Sequence, residues 1–226
     1  MELSISKKLL ILAKCPEKGR FKIPNMQLHF GLIGAILMEM DFAGAIKIED
    51  KRVIPQRNAK LNDEVLKTIH QMMCESTKER RIKYWVNKLN RKACKFKWHF
   101  MEQMQKERLV KIEHKRFLGL IPYKRSYLIN NRVRPELISN YRKAVLHASK
   151  IEKEDVVVLA LLRACRYSRL LANERSERKK IRLQLKELLK GNEIAGSVEQ
   201  SIQEVQAAIS TAIVVTTAAT AAAGSN

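Results

Sequence analysis

The residue types best suited to catalysis or metal binding are scattered along this chain of 226 residues. His70 and Cys74 stand four positions apart and would share one face of a helix, but two ligands do not complete a metal site. Glu39 and Asp41 are expected to mark the end of an apolar helix and to pair with basic neighbours. There is no phosphate-binding glycine loop, nucleophile elbow or paired-histidine box. The sequence predicts no enzyme, no cofactor and no metal site.

Positive charge is the stronger signal. The chain has 44 Lys and Arg against 23 Asp and Glu, which gives a net charge of +21. Residues 80–150 hold 20 of the basic residues and only four acidic ones. A surplus of this size is typical of proteins with a polyanionic partner, namely nucleic acid, anionic lipid or an acidic protein. A solvated basic surface that serves solubility is the alternative interpretation.

One basic cluster lies in the segment RKACKFKWHF, residues 91–100, at the predicted start of a helix. Its candidate headgroup-binding residues are Arg91, Lys95 and Lys97, and aromatic side chains alternate with them. A helix N-terminus favours an anion through its free N–H groups and its dipole. The segment therefore predicts a phosphate site, or a solvated basic face over a buried aromatic stripe.

A β-hairpin of unusual chemistry is predicted at about residues 110–129. Two alternating segments flank the turn FLGLIP, where a turn normally has polar residues or glycine. The candidate membrane-contacting residues are the apolar Phe117, Leu118, Leu120 and Ile121 and the basic Lys115, Arg116, Lys124 and Arg125. An apolar tip can enter the acyl boundary while cations stay at the headgroups. The tip could instead pack on the protein body or on a second subunit.

Two other functions compete with membrane binding. A helix followed by a basic hairpin resembles a winged helix that binds the phosphates of DNA. An adaptor that binds the basic or aromatic tails of other proteins, without touching lipid, is the third candidate. A DNA-binding wing should have a polar tip, which FLGLIP is not. Anionic membrane lipid is the favoured partner, and nucleic acid is not expected.

Hydrophobic periodicity predicts a mainly α fold, with one globular domain over residues 1–215 around buried central helices. A projecting β-hairpin and a smaller one at 45–54 complete the domain, and residues 216–226 are predicted to be a disordered tail. A short helix capped by Ser4 and a helix capped by Asn62 or Asp63 are expected. The other predicted helices cover residues 29–44, 77–89, 95–109, 136–148, 153–169, 174–190 and 198–215.

The expected location is the cytosolic face of a membrane. The apolar run 9–13 is too short for a signal peptide, and the four cysteines include no CxxC pair, which favours free thiols in a reducing cytosol. No stretch is apolar enough for a good transmembrane helix. Membrane contact is therefore predicted to be peripheral.

The chain resembles the Golgi phosphoprotein 3 family, and has the features of a bacterial relative. The resemblance covers about residues 5–210 and rests on an ordered set of segments. They are KGRFKIPNMQLHFGLIGAILMEMDFAGAIKIED, LNDEVLKTI, YWVNKL, FLGLIPYKRSYLI and VVVLALLRACRYSRLL. The resemblance implies a helical domain with a projecting hairpin, which in eukaryotic members is implicated in membrane contact and self-association.

Eukaryotic members of that family bind phosphatidylinositol 4-phosphate and package glycosyltransferases by their cytosolic tails. The resemblance therefore implies lipid, such tails and a second copy as partners. The family's headgroup-binding Trp and first Arg fall on Pro24 and Ile33, and its two later basic positions fall on Cys94 and Lys97. Because only Lys97 keeps the basic character, binding to anionic lipid in general is expected in place of specific recognition of the 4-phosphate. Arg20 and Lys22 could supply charge from the loop before the central helix.

Overall fold

A computed structural model describes residues 3–15, 17–118, 120–147, 149, 151–191 and 197–223. The described chain is mainly helical, as predicted, and its buried apolar residues form a continuous hydrophobic core. The helices are α1 Ile5–Ala13, α2 Asn25–Phe42, α3 Glu64–Cys74, α4 Ile82–Asn90, α5 Ala93–Lys106, α6 Val133–His147, α7 Lys153–Ala164, α8 Glu177–Gly191 and α9 Ser197–Ala223. The strands are β1 Ile46–Glu49, β2 Arg52–Pro55, β3 Arg80–Arg81, β4 Val110–Phe117 and β5 Ile121–Leu128.

Helix α2 is the centre of the core, because apolar residues surround it on almost all sides. It packs on α1, α4, α5, α7 and α9. Close approach depends on glycine: a Cβ on Gly31 would lie 2.6 Å from Cys165 Sγ, and one on Gly34 would lie 2.7 Å from Leu161 Cδ2. Larger residues at these two positions would push α7 away from α2.

The predicted helix caps are also confirmed. Ser4 Oγ accepts a hydrogen bond from Lys7 N–H at 3.5 Å and begins α1. Asp63 Oδ1 accepts from Val65 N–H at 2.7 Å and Leu66 N–H at 3.1 Å, so Asp63 rather than Asn62 caps α3. These side chains satisfy N–H groups that have no partner within the first turn of a helix.

The small hairpin β1–β2 is confirmed, and its turn residues Asp50 and Lys51 have φ of 48° and 63°. A third strand was not predicted. Arg80 and Arg81 pair with β2, so α4 begins at Ile82 and not near residue 77. The periodicity of residues 77–89 indicated only the helix, because a two-residue strand leaves no periodic signal.

The second hairpin consists of β4 and β5, which pair from Val110–Leu128 at the base to Phe117–Ile121 at the tip. Val110, Ser126 and Leu128 are buried at the base, and the strand ends beside the turn are exposed. The base packs on α5 and the tip extends away from the core, which confirms the predicted projection.

The predicted C-terminal ends of two helices, α7 and α9, are wrong. Helix α7 ends at Ala164, not near residue 169, because Arg166 adopts a left-handed conformation with φ 55° and a 3₁₀ turn, Ser168–Leu171, follows. Helix α9 continues to Ala223, although residues 216–226 were predicted to be a disordered tail. The Ala-rich composition that suggested low complexity also has high helix propensity, and that propensity explains the longer helix.

Candidate functional site

The tip of the β4–β5 hairpin exposes large apolar side chains. Phe117 is 58% exposed, Leu118 80%, Leu120 83% and Ile121 62%. Packing of the tip on its own subunit is therefore excluded for these four side chains. Leu118 has φ 48°, a conformation that costs a residue with a Cβ roughly 1 kcal/mol. The turn thus keeps a leucine where Asn or Gly would be easier to accommodate.

The basic residues beside the tip are mostly paired. Glu113 lies 3.2 Å from both Lys111 Nζ and Lys115 Nζ, and Glu102 lies 3.0 Å from Lys124 Nζ. Hydrogen bonds from the two lysines lower the pKa of Glu113, and the bond to Glu113 raises the pKa of Lys115. The hairpin therefore carries less free positive charge than its composition indicates.

The remaining two basic residues of the hairpin differ from each other. Arg125 Nη1 donates to the Lys18 carbonyl oxygen at 2.7 Å and so connects β5 to the loop after α1. Arg116, exposed next to Phe117, forms no ion pair with any carboxylate that the structure describes. Arg116 is thus the hairpin cation that is best placed to meet an anion beside the apolar tip.

A pair of buried lysines lies at the base of the hairpin. Lys97, on α5, is only 6% exposed, and its Nζ lies 5.3 Å from the centre of the Phe21 ring. Lys14 follows α1 and is fully buried, with its Nζ 4.2 Å from the centre of the same ring. Lys14 Nζ donates to the Gly19 carbonyl oxygen at 3.1 Å and to Ser126 Oγ at 2.7 Å.

These two lysines lack a carboxylate partner among the residues that the structure describes. Burial, together with the charge of Lys97, lowers the pKa of Lys14 to about 7. Burial also lowers the pKa of Lys97, and burial with the nearby Lys97 charge lowers that of His29. A bound anion would reverse these shifts, because an opposite charge favours the protonated lysine.

The structure separates the five candidate headgroup-binding residues that the sequence analysis proposed. Arg91 and Lys95 are exposed at the start of α5, whereas Lys97 is buried below Phe21. Arg20 and Lys22 line a depression of about 760 Å³ that also includes Arg134 and Tyr167, and neither Arg91, Lys95 nor Lys97 lines that depression. Of the two positions that the resemblance relates to the family's Trp and first Arg, Pro24 is exposed and precedes α2, and Ile33 lies inside the core.

A basic groove between the end of α7 and α8 was missed by the sequence analysis. It has a volume of about 940 Å³, and six arginines and two lysines line it, with no carboxylate from the described residues. Its arginines are Arg163, Arg166, Arg169, Arg175, Arg178 and Arg182. The spacing of three or four residues in 163/166/169 and in 175/178/182 was a usable signal, because such residues share one side of a helix or helical turn.

The residues considered for metal binding or catalysis do not form such a site. His70 Nε2 and Cys74 Sγ lie 3.6 Å apart on the exposed side of α3. No group of three potential metal ligands occurs in the part of the chain that the structure describes. Glu39 accepts a hydrogen bond from Ser6 N–H at 2.6 Å, a backbone partner where a basic side chain was predicted, and burial raises its pKa.

The membrane-spanning potential of the described residues is low, since none of their helices combines the length and the apolar character needed to cross a bilayer. Fold and surface together define a basic helical domain that projects an apolar β-hairpin. Residues 5–205 match the family model described as Golgi phosphoprotein 3 (GPP34). The chain belongs to this family, as its sequence motifs predicted. Among curated proteins, none matches the chain significantly.

Proposed function

We propose that the protein is a non-enzymatic peripheral membrane protein that binds anionic lipid on the cytosolic face of a membrane. The observation that carries this proposal is the exposure, 58% to 83%, of four large apolar side chains at one hairpin turn. Apolar patches of this kind on a soluble surface mark sites of membrane or protein contact. Membership of the Golgi phosphoprotein 3 family is consistent with such a role.

The hairpin tip is expected to contribute most of the free energy of membrane binding. Full burial of a large apolar side chain contributes about 1.5–3 kcal/mol, so the four tip residues together contribute several kcal/mol even when insertion is partial. Arg116 adds an electrostatic contribution of about 1 kcal/mol near an anionic surface. Lys115 and Lys124 contribute less, because each is already paired with a carboxylate of the protein.

At the base of the hairpin, Lys14 and Lys97 form a candidate site for a headgroup phosphate. Neither lysine has a carboxylate partner in the described part of the chain, and Trp98, whose ring centre lies 5.7 Å from Lys97 Nζ, is a residue type common at membrane interfaces. The family positions occupied by Pro24, Ile33 and Cys94 are not basic. We therefore propose binding to anionic lipid in general, without selection of the 4-phosphate. Only the family membership suggests that the protein also acts as an adaptor, which would bind the cytosolic tails of membrane proteins.

Vesicle co-sedimentation tests the proposal. The protein should sediment with anionic vesicles, sediment weakly with neutral ones, and bind anionic vesicles less tightly at high salt, which screens the basic residues. Leu118→Asp with Leu120→Asp should abolish sedimentation while the thermal unfolding midpoint stays unchanged. Val214→Asp with Val215→Asp is the matched control, since these α9 residues are 48% and 57% exposed and lie outside the hairpin.

Three results would contradict the proposal. One is equal sedimentation of the tip variant and the wild type with anionic vesicles. Another is a stable dimer in solution that dissociates in the tip variant, with no vesicle binding by the wild type, since the tip would then be a subunit interface. Tight binding of duplex DNA without vesicle binding would support the nucleic-acid alternative.

A further inference from the structure

The basic groove and the depression beside it form one continuous surface. Arg169 and Arg178 line both of them. The left-handed Arg166 ends α7, and Tyr167 N–H then donates to the Leu162 carbonyl oxygen at 2.8 Å, so the chain turns and Arg169 stands opposite α8. None of the eight basic residues of the groove forms an ion pair with a carboxylate of the described chain. Like charges held together without acidic partners destabilise the folded protein, which favours a function in anion binding.

Arg134 provides an independent sign of a ligand in the depression. Its side chain is only 7% exposed, and Nε donates to the Leu12 carbonyl oxygen at 3.2 Å. At the other end of the guanidinium, the Tyr167 hydroxyl lies close enough to interact with Arg134, but Nη2 is buried without an acceptor in good hydrogen-bond geometry. A buried donor that lacks an acceptor destabilises the folded protein, and a charged donor does so more strongly. A phosphate oxygen in the depression would satisfy Nη2 and gain a charge-assisted hydrogen bond.

We propose that this surface is a second phosphate-binding site, which takes a phosphomonoester headgroup of an anionic lipid at Arg134, with Arg169 and Arg178 at its entrance. This inference rests on the proposed membrane binding and adds a ligand class and a site to it. A terminal phosphate can enter the depression and reach a buried guanidinium. A diester phosphate in a nucleic-acid duplex cannot enter in the same way, because the backbone continues on both sides of it.

The position of the site supports lipid as the source of the phosphate. The loop 17–22 forms a wall of the depression through Arg20 and Lys22. The same loop packs on the base of the hairpin, where Arg125 Nη1 binds the Lys18 carbonyl oxygen and the Tyr127 ring leaves no room for a Cβ on Gly19. A hairpin seated in the bilayer would therefore bring this loop, and the depression beside it, close to the headgroups.

The test compares vesicles of neutral lipid with phosphatidic acid, a phosphomonoester, against vesicles with phosphatidylglycerol, a diester, at matched surface charge. The wild type should prefer phosphatidic acid. Arg169→Gln with Arg178→Gln should weaken binding to these vesicles on the order of thirtyfold, from about 1 kcal/mol per cation. Arg57→Gln with Lys78→Gln, two exposed residues near α3 with the same loss of charge, is the control and should keep the preference.

Arg134→Lys is a second variant, since it keeps the charge and loses the planar, bidentate donor pair. It should bind phosphatidylglycerol vesicles as the wild type does and lose the preference for phosphatidic acid. Its unfolding midpoint is measured in parallel, and the Arg169/Arg178 variant decides the question if Arg134→Lys is unstable.

Failure of this inference and failure of the proposed function give different results. If no anionic vesicle binds the wild type, the proposed function fails and this inference fails with it. If vesicles bind, the Leu118/Leu120 variant does not, and the Arg169/Arg178 variant behaves like its control, only the second site is wrong. Soluble glycerol 3-phosphate that binds as tightly as the vesicles would overturn the lipid source. Duplex DNA whose binding depends on Arg169 and Arg178 would overturn the ligand class.

Discussion

The β4–β5 hairpin and the groove between α7 and α8 are both rich in basic residues, but they differ in how much of their charge is free. Beside the hairpin tip, Glu113 and Glu102 pair with three lysines. In the groove, eight basic residues have no carboxylate partner among the described residues. The density of basic residues along a chain therefore does not measure the charge available to a partner. Local pairing determines the available charge.

Exposed apolar side chains have the opposite distribution between the hairpin and the groove. Four large apolar side chains are exposed at the hairpin tip, whereas Leu183, 51% exposed, is the large apolar side chain that lines the groove. The hairpin is therefore suited to hydrophobic insertion, which salt affects little, and the groove to electrostatic binding, which salt weakens. Four experiments test this division of roles.

The largest effect is expected at the tip. Leu118→Ser with Leu120→Ser removes apolar surface without adding charge, and should weaken binding to anionic vesicles by about 3 kcal/mol or more, over a hundredfold. Vesicle titration at low and at high salt measures it. The loss should be similar at both salt concentrations. A loss that disappears at high salt would contradict a hydrophobic role for the tip.

The second effect concerns the buried lysines at the hairpin base. The pKa of Lys14 is about 7 in the folded protein, against 10.5 ordinarily, so between these values the unfolded chain binds more protons. The free energy of unfolding should therefore rise with pH across this window, by a few kcal/mol at most. Lys14→Met should flatten the rise, as measured by urea unfolding at pH 6.5, 7.5 and 8.5. The arginines of the groove stay charged throughout this range. An unchanged slope in Lys14→Met would show that Lys14 keeps its charge when buried.

Single basic residues provide the third test. Arg182→Gln removes an unpaired groove cation and should weaken binding to anionic vesicles roughly fivefold. Lys124→Gln removes a cation that Glu102 already pairs at 3.0 Å, and should have a smaller effect. Both variants are titrated with the same vesicles at low salt. Equal losses would mean that pairing with Glu102 does not reduce the charge that Lys124 offers to the membrane.

The smallest expected effect is an increase in the affinity for anionic vesicles. Glu113→Gln removes the carboxylate between Lys111 and Lys115, and should strengthen binding to anionic vesicles by roughly twofold to fivefold, in line with about 1 kcal/mol for a cation near the surface. Glu75→Gln, an exposed change on the α3 side with the same change in net charge, is the control. If both variants bind equally, net charge alone sets the affinity and the distinction between paired and unpaired cations has no consequence.

Sequence patterns were sufficient for most of the fold. The caps Ser4 and Asp63, the buried helix α2 and the β4–β5 hairpin follow from signals within a few residues of one another. The limits of α4, α7 and α9 were wrong. A short strand pairing, a left-handed Arg166 and the helix propensity of alanine determine these limits, and hydrophobic periodicity reports none of the three.

The candidate site was predicted less completely. The apolar turn can be recognised from the segment FLGLIP alone. The exposure of a hairpin tip does not depend on residues that are distant in the sequence. The environment of Lys97 could not be recognised, since Phe21 and Lys14 lie far from it in the chain and approach it only when the loop 17–22 folds over α5. The basic groove likewise combines the end of α7, a 3₁₀ turn and α8.

For this protein, local sequence is enough to specify a mainly helical domain, its family and an apolar hairpin, because periodicity, caps and turn composition act over short distances. Which cations are paired, buried or free depends on side chains brought together from separate elements. Electrostatic energies fall with distance and change with burial, so they are established only when the chain has folded.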